Sequence, residues 1–441
     1  MRRHPLPLIY LRLALCPALV RAPVALAALL LVASACGGSG TDTAPNTGNL
    51  SVTVSSPSGV TTSVTVTGAG GYSRSITSTQ TLSGLAAGNY FVSAAAGAGS
   101  DAIVGSLYAA TVAGSPATIA SGTNATATVT YAATGIPGRM WVANQLGLTI
   151  GGYSSSQLAA SGAITPVATI GGNGKVGSHA NSVAIDAAGG MWLSNNKDSL
   201  FYFTAAQIAA STSAAPTRVV VGANGSVTSI TSLAFDGGGN LWASDQRDRV
   251  VEFSAAQLTA GGAATPVVTL TSAFGSIVRP FSLAFDVHGN LWVSNYGNNS
   301  IASFTPAQIA ASGSPQPTAG VTGSPGLTGP LGIAFDRNGN LWVSSLIDSL
   351  VQFPASSLAA VGSPTPAVII TGSLRTPYGI AFDASDALWV ASYQGSKLFR
   401  FLPSQLTTSG APTPSVTITG GGLSLPTGIA FAPHSAALPL H

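Results

Sequence analysis

Short segments in which apolar and small polar residues alternate recur along the chain, separated by turn-forming residues. The clearest segment, SLAFDVHGNLWVSN at 282–295, has close copies at 182–195, 232–245, 332–345 and 379–392. The tryptophans recur roughly every 50 residues, and self-similarity at such a period predicts a repeat architecture. The six tryptophans are Trp141, Trp192, Trp242, Trp292, Trp342 and Trp389.

Each repeat divides into four short predicted strands. The first, typified by 282–285, is rich in aromatic and aliphatic residues that suit a buried strand. An Asp-x-x-Gly-Asn turn follows, in which the aspartate can accept hydrogen bonds from amides two residues on and the glycine can take a positive φ. The second strand carries the tryptophan, and the third, typified by 349–353, ends in a phenylalanine.

A short helical pattern and a proline follow the third strand. Thr204, Ser254 and Thr305 are good N-caps for the helical turns. Proline opens the fourth strand, and it suits an exposed edge because it discourages edge-to-edge pairing. The prolines are Pro166, Pro216, Pro266, Pro317, Pro366 and Pro414. We therefore expect the fourth strand to be the outermost of each repeat.

Four strands per repeat of roughly 50 residues predict the blades of a β-propeller. The first repeat begins in mid-blade at 138–144, GRMWVAN, and its missing first strand is found at 426–433, PTGIAFAP. An open solenoid would need two capping ends instead. The predicted fold is therefore all-β: a six-bladed β-propeller over 138–433 whose C-terminal strand closes the first blade.

The motif G-I-A-F-D-x-x-G-N-L-W-V-S-N resembles NHL repeats and, more closely, the blades of streptogramin lyase-like and gluconolactonase-like propellers. The resemblance is specific for fold rather than activity, because one fold hosts many functions. In the resembling families, ligands lie at the mouth of the central channel. The mouth lies on the face formed by the loops that join the second strand to the third and the fourth strand to the next first strand.

The resemblance implies that polar residues at the ends of the second strands lie at the mouth, with aromatic residues beside them. The polar residues are Asn144, Asn195, Asp245, Asn295, Ser345 and Ser392. The aromatic residues are Phe281, Tyr378, Tyr296 and Tyr393. Such a set would suit a polar, neutral ligand with an apolar face, such as a sugar or a peptide. The alternative is that the Asn and Ser side chains only satisfy backbone groups between blades.

The N-terminal residues indicate export and lipid attachment. Basic residues, the apolar run 24–32 and small residues before Cys36 resemble a bacterial lipoprotein signal over 1–35. The resemblance implies a lipid-modified Cys36 as the membrane anchor. Gly37 after it implies an outer-membrane location in the cell envelope, on the periplasmic or surface face. The alternatives are a plain secretory signal or an uncleaved anchor, although a spanning helix needs about 20 apolar residues.

The segments that follow Cys36 predict a tether and a small domain. Residues 36–48 form a Gly/Ser/Thr tether. Alternating runs between turns predict a β-domain over 49–133, and LSGLAAGNYFVSAAA at 82–96 resembles a strand pair of PEGA-like β-sandwiches, which implies a spacer. Residues 434–441 form a C-terminal tail.

Charge and cysteine content exclude several function classes. Four of the 16 Lys and Arg lie in the predicted signal, which leaves 12 against 13 Asp and Glu. No basic stripe remains to neutralise phosphates, so nucleic acid is not an expected partner. Because Cys16 and Cys36 are the two cysteines, the mature chain would lack thiol catalysis and cysteine metal sites.

The enzymatic alternative is a metal-dependent lyase or lactonase. The gluconolactonase-like resemblance implies a glutamate ligand at the mouth, but Glu252 lies on a third strand. The lyase-like resemblance implies a histidine and a glutamate acting with a metal; His179 lies near the mouth, whereas His288 lies in a turn on the opposite face. Asp245 with the strand-end asparagines could form a weak Ca²⁺ or Mg²⁺ site, and no other cofactor is expected.

We therefore expect a lipid-anchored module that binds or scaffolds a glycan, a peptide or an envelope protein, in preference to an enzyme.

Overall fold

A computed structural model describes residues 46–57, 60, 62–94, 97–98, 107–133, 139–171, 179–210, 215–272 and 275–432. Over these residues the chain is nearly all β, with strands paired into eight sheets and only short helices. The predicted signal over 1–35, Cys36 and the tail at 434–441 lie outside the described residues. Within the described ranges, no helix is long and apolar enough to cross a membrane.

Two sheets form the N-terminal part of the structure and share one hydrophobic core, to which Leu50, Val64 and Tyr90 belong. One sheet contains, in hydrogen-bonded order, Gln80–Ala86, Thr47–Ser55, Asn124–Ala133, Leu107–Ala113 and Gly97–Ala98. The other contains Tyr72–Ile76, Val64–Gly68, Gly88–Ala94 and Ala117–Ile119. The predicted tether therefore ends earlier than residue 48, because the first strand begins at Thr47.

Six further sheets each contain one tryptophan, and we number them first to sixth from Trp141 to Trp389. The first contains Ala168–Gly171, Thr149–Ser154, Arg139–Asn144 and Pro426–Ala432. The second contains Ser182–Ile185, Met191–Ser194, Ser199–Phe203, Arg218–Gly222 and Gly262–Ala264. The third contains Ile230–Phe235, Leu241–Asp245, Arg249–Phe253 and Val268–Thr271.

In the remaining three sheets, as in the first three, the first to fourth strands pair antiparallel with their neighbours. The fourth contains Pro280–Phe285, Leu291–Asn295, Ser300–Phe304, Ala319–Thr322 and Val361–Gly362. The fifth contains Pro330–Phe335, Leu341–Ser345, Ser349–Phe353 and Val368–Ile370. The sixth contains Pro377–Phe382, Leu388–Ser392, Lys397–Phe401, Val416–Thr419 and Gly162–Ala163.

Neighbouring sheets pack face to face in sequence. Among the described residues, six hydrophobic clusters each combine two successive sheets, and one of them joins the sixth sheet to the first. Serine hydroxyls add polar links: Ser182 Oγ accepts from Leu233 N at 3.1 Å, and Ser232 Oγ accepts from Leu283 N at 3.2 Å. The sheets thus follow one another in a cycle, which is consistent with a β-propeller.

The C-terminal strand lies at the position predicted for it. Pro426–Ala432 pairs antiparallel with Arg139–Asn144, so that Trp141 faces Ala430. Thr427 Oγ1 donates to the Ala180 carbonyl oxygen at 3.2 Å and so reaches the next sheet. The first sheet therefore contains strands from both ends of the repeat region.

The Asp-x-x-Gly-Asn turns have the predicted geometry. In the fourth sheet Asp286 Oδ1 accepts from the amides of His288 at 2.9 Å and Asn290 at 3.0 Å, and Gly289 has φ 77°. Asp286 Oδ2 also accepts from Trp292 Nε1 at 2.9 Å, so the turn holds the next strand's tryptophan. The turn prediction is confirmed.

Short helices follow the third strands. They are Ser155–Leu158, Ala205–Ala210, Ala255–Ala260 and Pro306–Ile309, with 3₁₀ turns at Ala355–Ser357 and Pro403–Gln405. Ser254 Oγ accepts from Gln257 N at 3.3 Å as a capping residue, and Gln257 Nε2 reaches forward to the Thr265 carbonyl oxygen at 2.7 Å. The glutamine therefore ties each such helix to the loop before the fourth strand.

The outer edge of the sheets differs from the sequence prediction. The prolines precede the fourth strands by two residues instead of opening them; Pro266, for example, comes before Val268–Thr271. Short parallel strands from the following repeat also cover the fourth strand in three sheets. These added strands are Gly262–Ala264, Val361–Gly362 and Gly162–Ala163. Backbone pairing therefore adds to the protection by proline, and in these three sheets the fourth strand is not the outermost, contrary to the prediction.

Candidate ligand site at the mouth face

We define the mouth face by the turns that join second to third strands and by the connections that lead into the first strands. Asp245 is fully buried there, and its carboxylate accepts from Arg249 Nη2 at 2.5 Å, Arg247 N at 3.1 Å and Thr228 N at 3.2 Å. This carboxylate therefore holds its own turn and the preceding connection together.

The other strand-end residues are also buried and contact nearby backbone. Asn295 Oδ1 accepts from Val278 N at 3.0 Å, and Ser345 Oγ donates to the Thr328 carbonyl oxygen at 2.7 Å. Asn195 Oδ1 accepts from two amides of its own turn, and Asn144 Oδ1 accepts from Ser424 N. Ser392 Oγ is buried without a hydrogen-bond partner among the described residues.

Backbone satisfaction thus accounts for most polar atoms of this set, and ligand binding by these six residues stays a prediction.

A second set of polar side chains bridges neighbouring sheets at this face. Asp248 Oδ1 accepts from Arg279 N at 2.7 Å, and Asp348 Oδ1 accepts from Thr376 N at 2.5 Å. Both aspartates have positive φ, near 58°, in the turn between second and third strands. Each carboxylate therefore holds the connection that leads into the first strand of the next sheet.

β-Bulges place the aromatic side chains. In the fourth sheet the register shifts between Pro280 and Ser282, which leaves Phe281 outside the regular ladder. In the sixth sheet it shifts between Pro377 and Ile380, which frees Tyr378 in the same way. A bulge re-aims the side chain that it contains.

The four predicted aromatic residues come together in one row. The ring centroids of Phe281 and Tyr378 are 4.9 Å apart, edge to face, although the two residues belong to sheets that are not neighbours. Tyr393 stacks on Tyr378 at 4.5 Å, and Tyr296 lies 6.5 Å from Phe281. We call Tyr296, Phe281, Tyr378 and Tyr393 the aromatic row.

Burial in the aromatic row raises the pKa of two of its tyrosine hydroxyls. Burial raises the pKa of Tyr378 to about 12, and the neighbouring Tyr393 and Tyr296 add to the shift. Burial also raises the pKa of Tyr393, whose hydroxyl donates to Gln145 Oε1. Both phenols are therefore neutral donors at physiological pH.

Apolar and cationic side chains border the row. Leu346 and Ile347 are 40% and 54% exposed, which is high for aliphatic residues. They line a cleft of about 760 Å³ together with Arg375 and Gln394. The Arg279 guanidinium lies 5.1 Å from the centre of the Tyr296 ring. The site thus combines stacked rings, an aliphatic wall and charges of both signs, since Asp348 lines the same cleft as Arg375.

Sequence reasoning identified the rings but missed Gln145, Arg279 and Arg375. Gln145 occupies the same repeat position as Tyr296 and Tyr393, directly after the second strand. Aligning the repeats on this position could have found it. The cations lie in connections of variable length, where alignment of the repeats gives no register.

The residues considered for metal chemistry lie apart. Glu252 pairs with Trp242 across the third sheet, His288 lies in a turn on the opposite face, and His179 is exposed before the second sheet. Among the residues that the structure describes, no three His, Cys, Asp or Glu side chains gather into a group that could hold a metal ion.

Comparisons with known proteins give structural similarity alone. No protein-family model matches the chain, and no curated protein sequence matches it. A protein of unknown function from Bacteroides caccae is 14% identical with a TM-score of 0.46, over 68% of this chain and all of that one (100%). A streptogramin B lyase is 12% identical with a TM-score of 0.43, over 69% of this chain and 88% of that one.

A virginiamycin B lyase from Staphylococcus aureus, in a catalytically inactive form with quinupristin, is 14% identical with a TM-score of 0.41, over 62% of this chain and 84% of that one. Similarity at this level carries no inference about the activity of this chain.

Proposed function

We propose that this protein is an envelope lipoprotein whose six-bladed β-propeller, of the NHL and streptogramin lyase-like kind, binds a sugar or peptide ligand at the mouth face. A β-sandwich domain over 49–133, of the PEGA-like kind, serves as a spacer between the propeller and the lipid on Cys36. The protein thereby acts as a binding or scaffolding module at the outer membrane.

The aromatic row is the observation that supports binding best. Stacked and edge-on rings offer a rigid, flat apolar surface at low conformational cost, while their hydroxyls remain as donors. The partly buried Tyr378 has such a hydroxyl, whereas the Tyr393 hydroxyl already donates to Gln145 Oε1 and can only accept from a ligand. A sugar ring or a peptide side chain with one apolar face matches this surface.

The flanking charges bear on which sugars or peptides fit. Arg279 lies beside Tyr296, and Arg375 lies in the neighbouring cleft. The aspartates of the same loops, Asp248 and Asp348, already accept backbone amides. Because accepting a backbone hydrogen bond does not remove the charge of a carboxylate, these aspartates offset the two arginines, and the site suits a polar ligand with little net charge.

The rival reaction class, a metal-dependent lyase or lactonase, needs carboxylates or histidines free to bind a cation or move a proton. The four aspartates of the mouth face already accept hydrogen bonds. They are Asp198, Asp245, Asp248 and Asp348. A thermal shift on adding millimolar Ca²⁺ or Mg²⁺ would favour the rival.

Isothermal titration with peptidoglycan-derived disaccharide-peptides tests the binding role. We expect saturable binding that Tyr393→Ala weakens by about tenfold or more, since the variant removes one stacked ring and its hydroxyl. Tyr72→Ala is the matched control, because Tyr72 also packs edge to face on a tyrosine, at 5.5 Å from Tyr90, but belongs to the N-terminal sheets. Equal affinity in both variants would place the site elsewhere, and absence of binding would remove this ligand class.

Lipid attachment has its own test. The unaltered chain should enter the detergent phase on Triton X-114 partition and take up labelled palmitate, and Cys36→Ser should lose both properties. Labelling that survives in the variant would contradict an anchor at Cys36.

A further inference from the structure

A second concave site lies on the face opposite the mouth, between the fourth and fifth sheets. Its volume is about 490 Å³, and its walls include Val287 and His288 from one turn and Arg337 and Asn338 from the next. Small-molecule sites commonly occupy about 300–1,000 Å³. The size is therefore that of a ligand site, and none of the mouth residues belongs to it.

The second sheet shows how the space outside a tryptophan is usually filled. Tyr202 pairs with Trp192 across the sheet, and their ring centroids are 4.9 Å apart. The Arg218 guanidinium then covers Tyr202 at 3.9 Å. The third, fifth and sixth sheets place Glu252, Gln352 and Arg400 opposite their tryptophans.

The fourth sheet leaves this space open. Ser303 pairs with Trp292 on one side and with Ala319 on the other. Both side chains are smaller than their counterparts in the second, third, fifth and sixth sheets and so leave room for the cavity. The first sheet has the still smaller Gly152 opposite Trp141, where the Arg139 guanidinium lies 5.6 Å from the ring centre. Trp292 and Phe335, with ring centroids 5.6 Å apart, close the base of the cavity, and with exposures of 3% and 2% they present only an edge to it.

A proline in the fourth sheet leaves the side-chain oxygen of Asn290 without the donor that its counterparts have. In the third sheet Asn240 Oδ1 accepts from Ala255 N at 3.1 Å, and the fifth sheet repeats the bond at the same distance. Pro306 occupies this position in the fourth sheet and has no N–H to donate. Asn290 Oδ1, which lines the cavity, is therefore left to accept from a ligand.

The charged groups around the cavity are already paired. Asp286 accepts from three backbone or amide donors and from Trp292 Nε1. Arg337 Nε pairs with Asp386 at 3.3 Å. The cavity is also lined by the Asn290 amide oxygen, by the hydroxyls of Ser303, Thr305 and Thr318, and by the His288 imidazole. Amide and hydroxyl groups outnumber the single imidazole, and they match a neutral polar ligand better than an ion.

From this arrangement we propose that the cavity beside Trp292 binds a neutral sugar ring. One sugar hydroxyl donates to Asn290 Oδ1, and the sugar ring lies above the edge of Trp292 at the base of the cavity. This site is independent of the ligand proposed for the mouth face.

Fluorine NMR of the full chain labelled with 5-fluorotryptophan tests the proposal, since each tryptophan gives its own signal. A Trp292→Phe variant identifies the Trp292 resonance. On titration with N-acetylglucosamine we expect this resonance to move saturably while the others stay in place. Ser303→Gln, which copies Gln352 of the fifth sheet, should weaken the response by about tenfold or abolish it.

Two further variants keep the test decisive. Ala319→Val, which copies Val368 of the fifth sheet, fills the cavity while Ser303 is left in place, and it should have the same effect. Tyr393→Ala at the mouth face should leave the Trp292 response unchanged. The proposal is overturned if the Trp292 signal of the unaltered protein does not move with the sugar, or if it moves with benzoate and not with the sugar. It is also overturned if the cavity-filling variants respond to the sugar as strongly as the unaltered protein does.

Discussion

Replacing Asp383 by alanine tests how the repeated turn stabilises the sheets. Asp383 is 1% exposed, and its Oδ2 accepts from Trp389 Nε1 at 3.0 Å and from Arg400 Nε at 2.8 Å. Its Oδ1 accepts from the amides of Ser385 and Ala387 at 2.9 and 3.0 Å. The sixth sheet thus adds an ion pair to the turn found in the other repeats.

The structure gives the size of the effect. Removing one partner of a buried ion pair costs about 3–5 kcal/mol, and a buried donor left unsatisfied costs about 1–3 kcal/mol. The Arg400 side chain is 11% exposed and regains some water, so we expect Asp383→Ala to lower the free energy of unfolding by about 4–5 kcal/mol. Asp286→Ala, which frees Trp292 Nε1 but breaks no ion pair, should cost about 2 kcal/mol.

Urea denaturation followed by tryptophan fluorescence measures both variants. Arg400→Gln and the double variant complete a mutant cycle, whose coupling energy isolates the ion pair. Equal losses for Asp383→Ala and Asp286→Ala, or a coupling energy near zero, would refute the reasoning.

Two further predictions concern the mouth face and the packing of first strands. Burial raises the pKa of Tyr378 from 10.0 to about 12, so the folded state favours the neutral phenol and stability should fall as pH rises between these values. Tyr378→Phe should flatten that decline, and a decline unchanged in the variant would contradict the assignment. Gly379→Ala should lower the midpoint of thermal unfolding sharply, because a Cβ there would overlap the Thr427 carbonyl oxygen, whereas Gly362→Ala meets open space and should not. Equal midpoints would show that the first strands can move apart at no cost.

The turns and strands were predictable because the forces that form them act over a few residues. Asp286 and Gly289 are four residues or fewer from the amides that they orient, so the residue types alone predict the geometry. The phenylalanine at the end of each third strand and the tryptophan in each second strand mark buried positions that recur with the repeat. Because these positions recur in each repeat, every copy of the pattern supports the same strand assignment.

Features that depend on contacts between repeats were not predictable in this way. Phe281 and Tyr378 are far apart in sequence and touch across an intervening sheet, which depends on two bulges. The strand Gly262–Ala264 pairs with a neighbouring repeat, although its own repeat gives it no strand pattern. A single sequence also does not show which backbone amides the polar strand ends will meet, so their contacts with the neighbouring connections could not be predicted.

Hydrogen–deuterium exchange of residues 426–432 tests the closure of the cycle most directly. If this strand pairs with Arg139–Asn144 in solution, its hydrogen-bonded amides should exchange as slowly as those of Pro330–Phe335, the first strand of the fifth sheet, which is likewise paired on one side. Exchange at the rate of an unstructured peptide would show that the last strand is free. The first sheet would then be incomplete, and the mouth face would lose the order on which the proposed binding site depends.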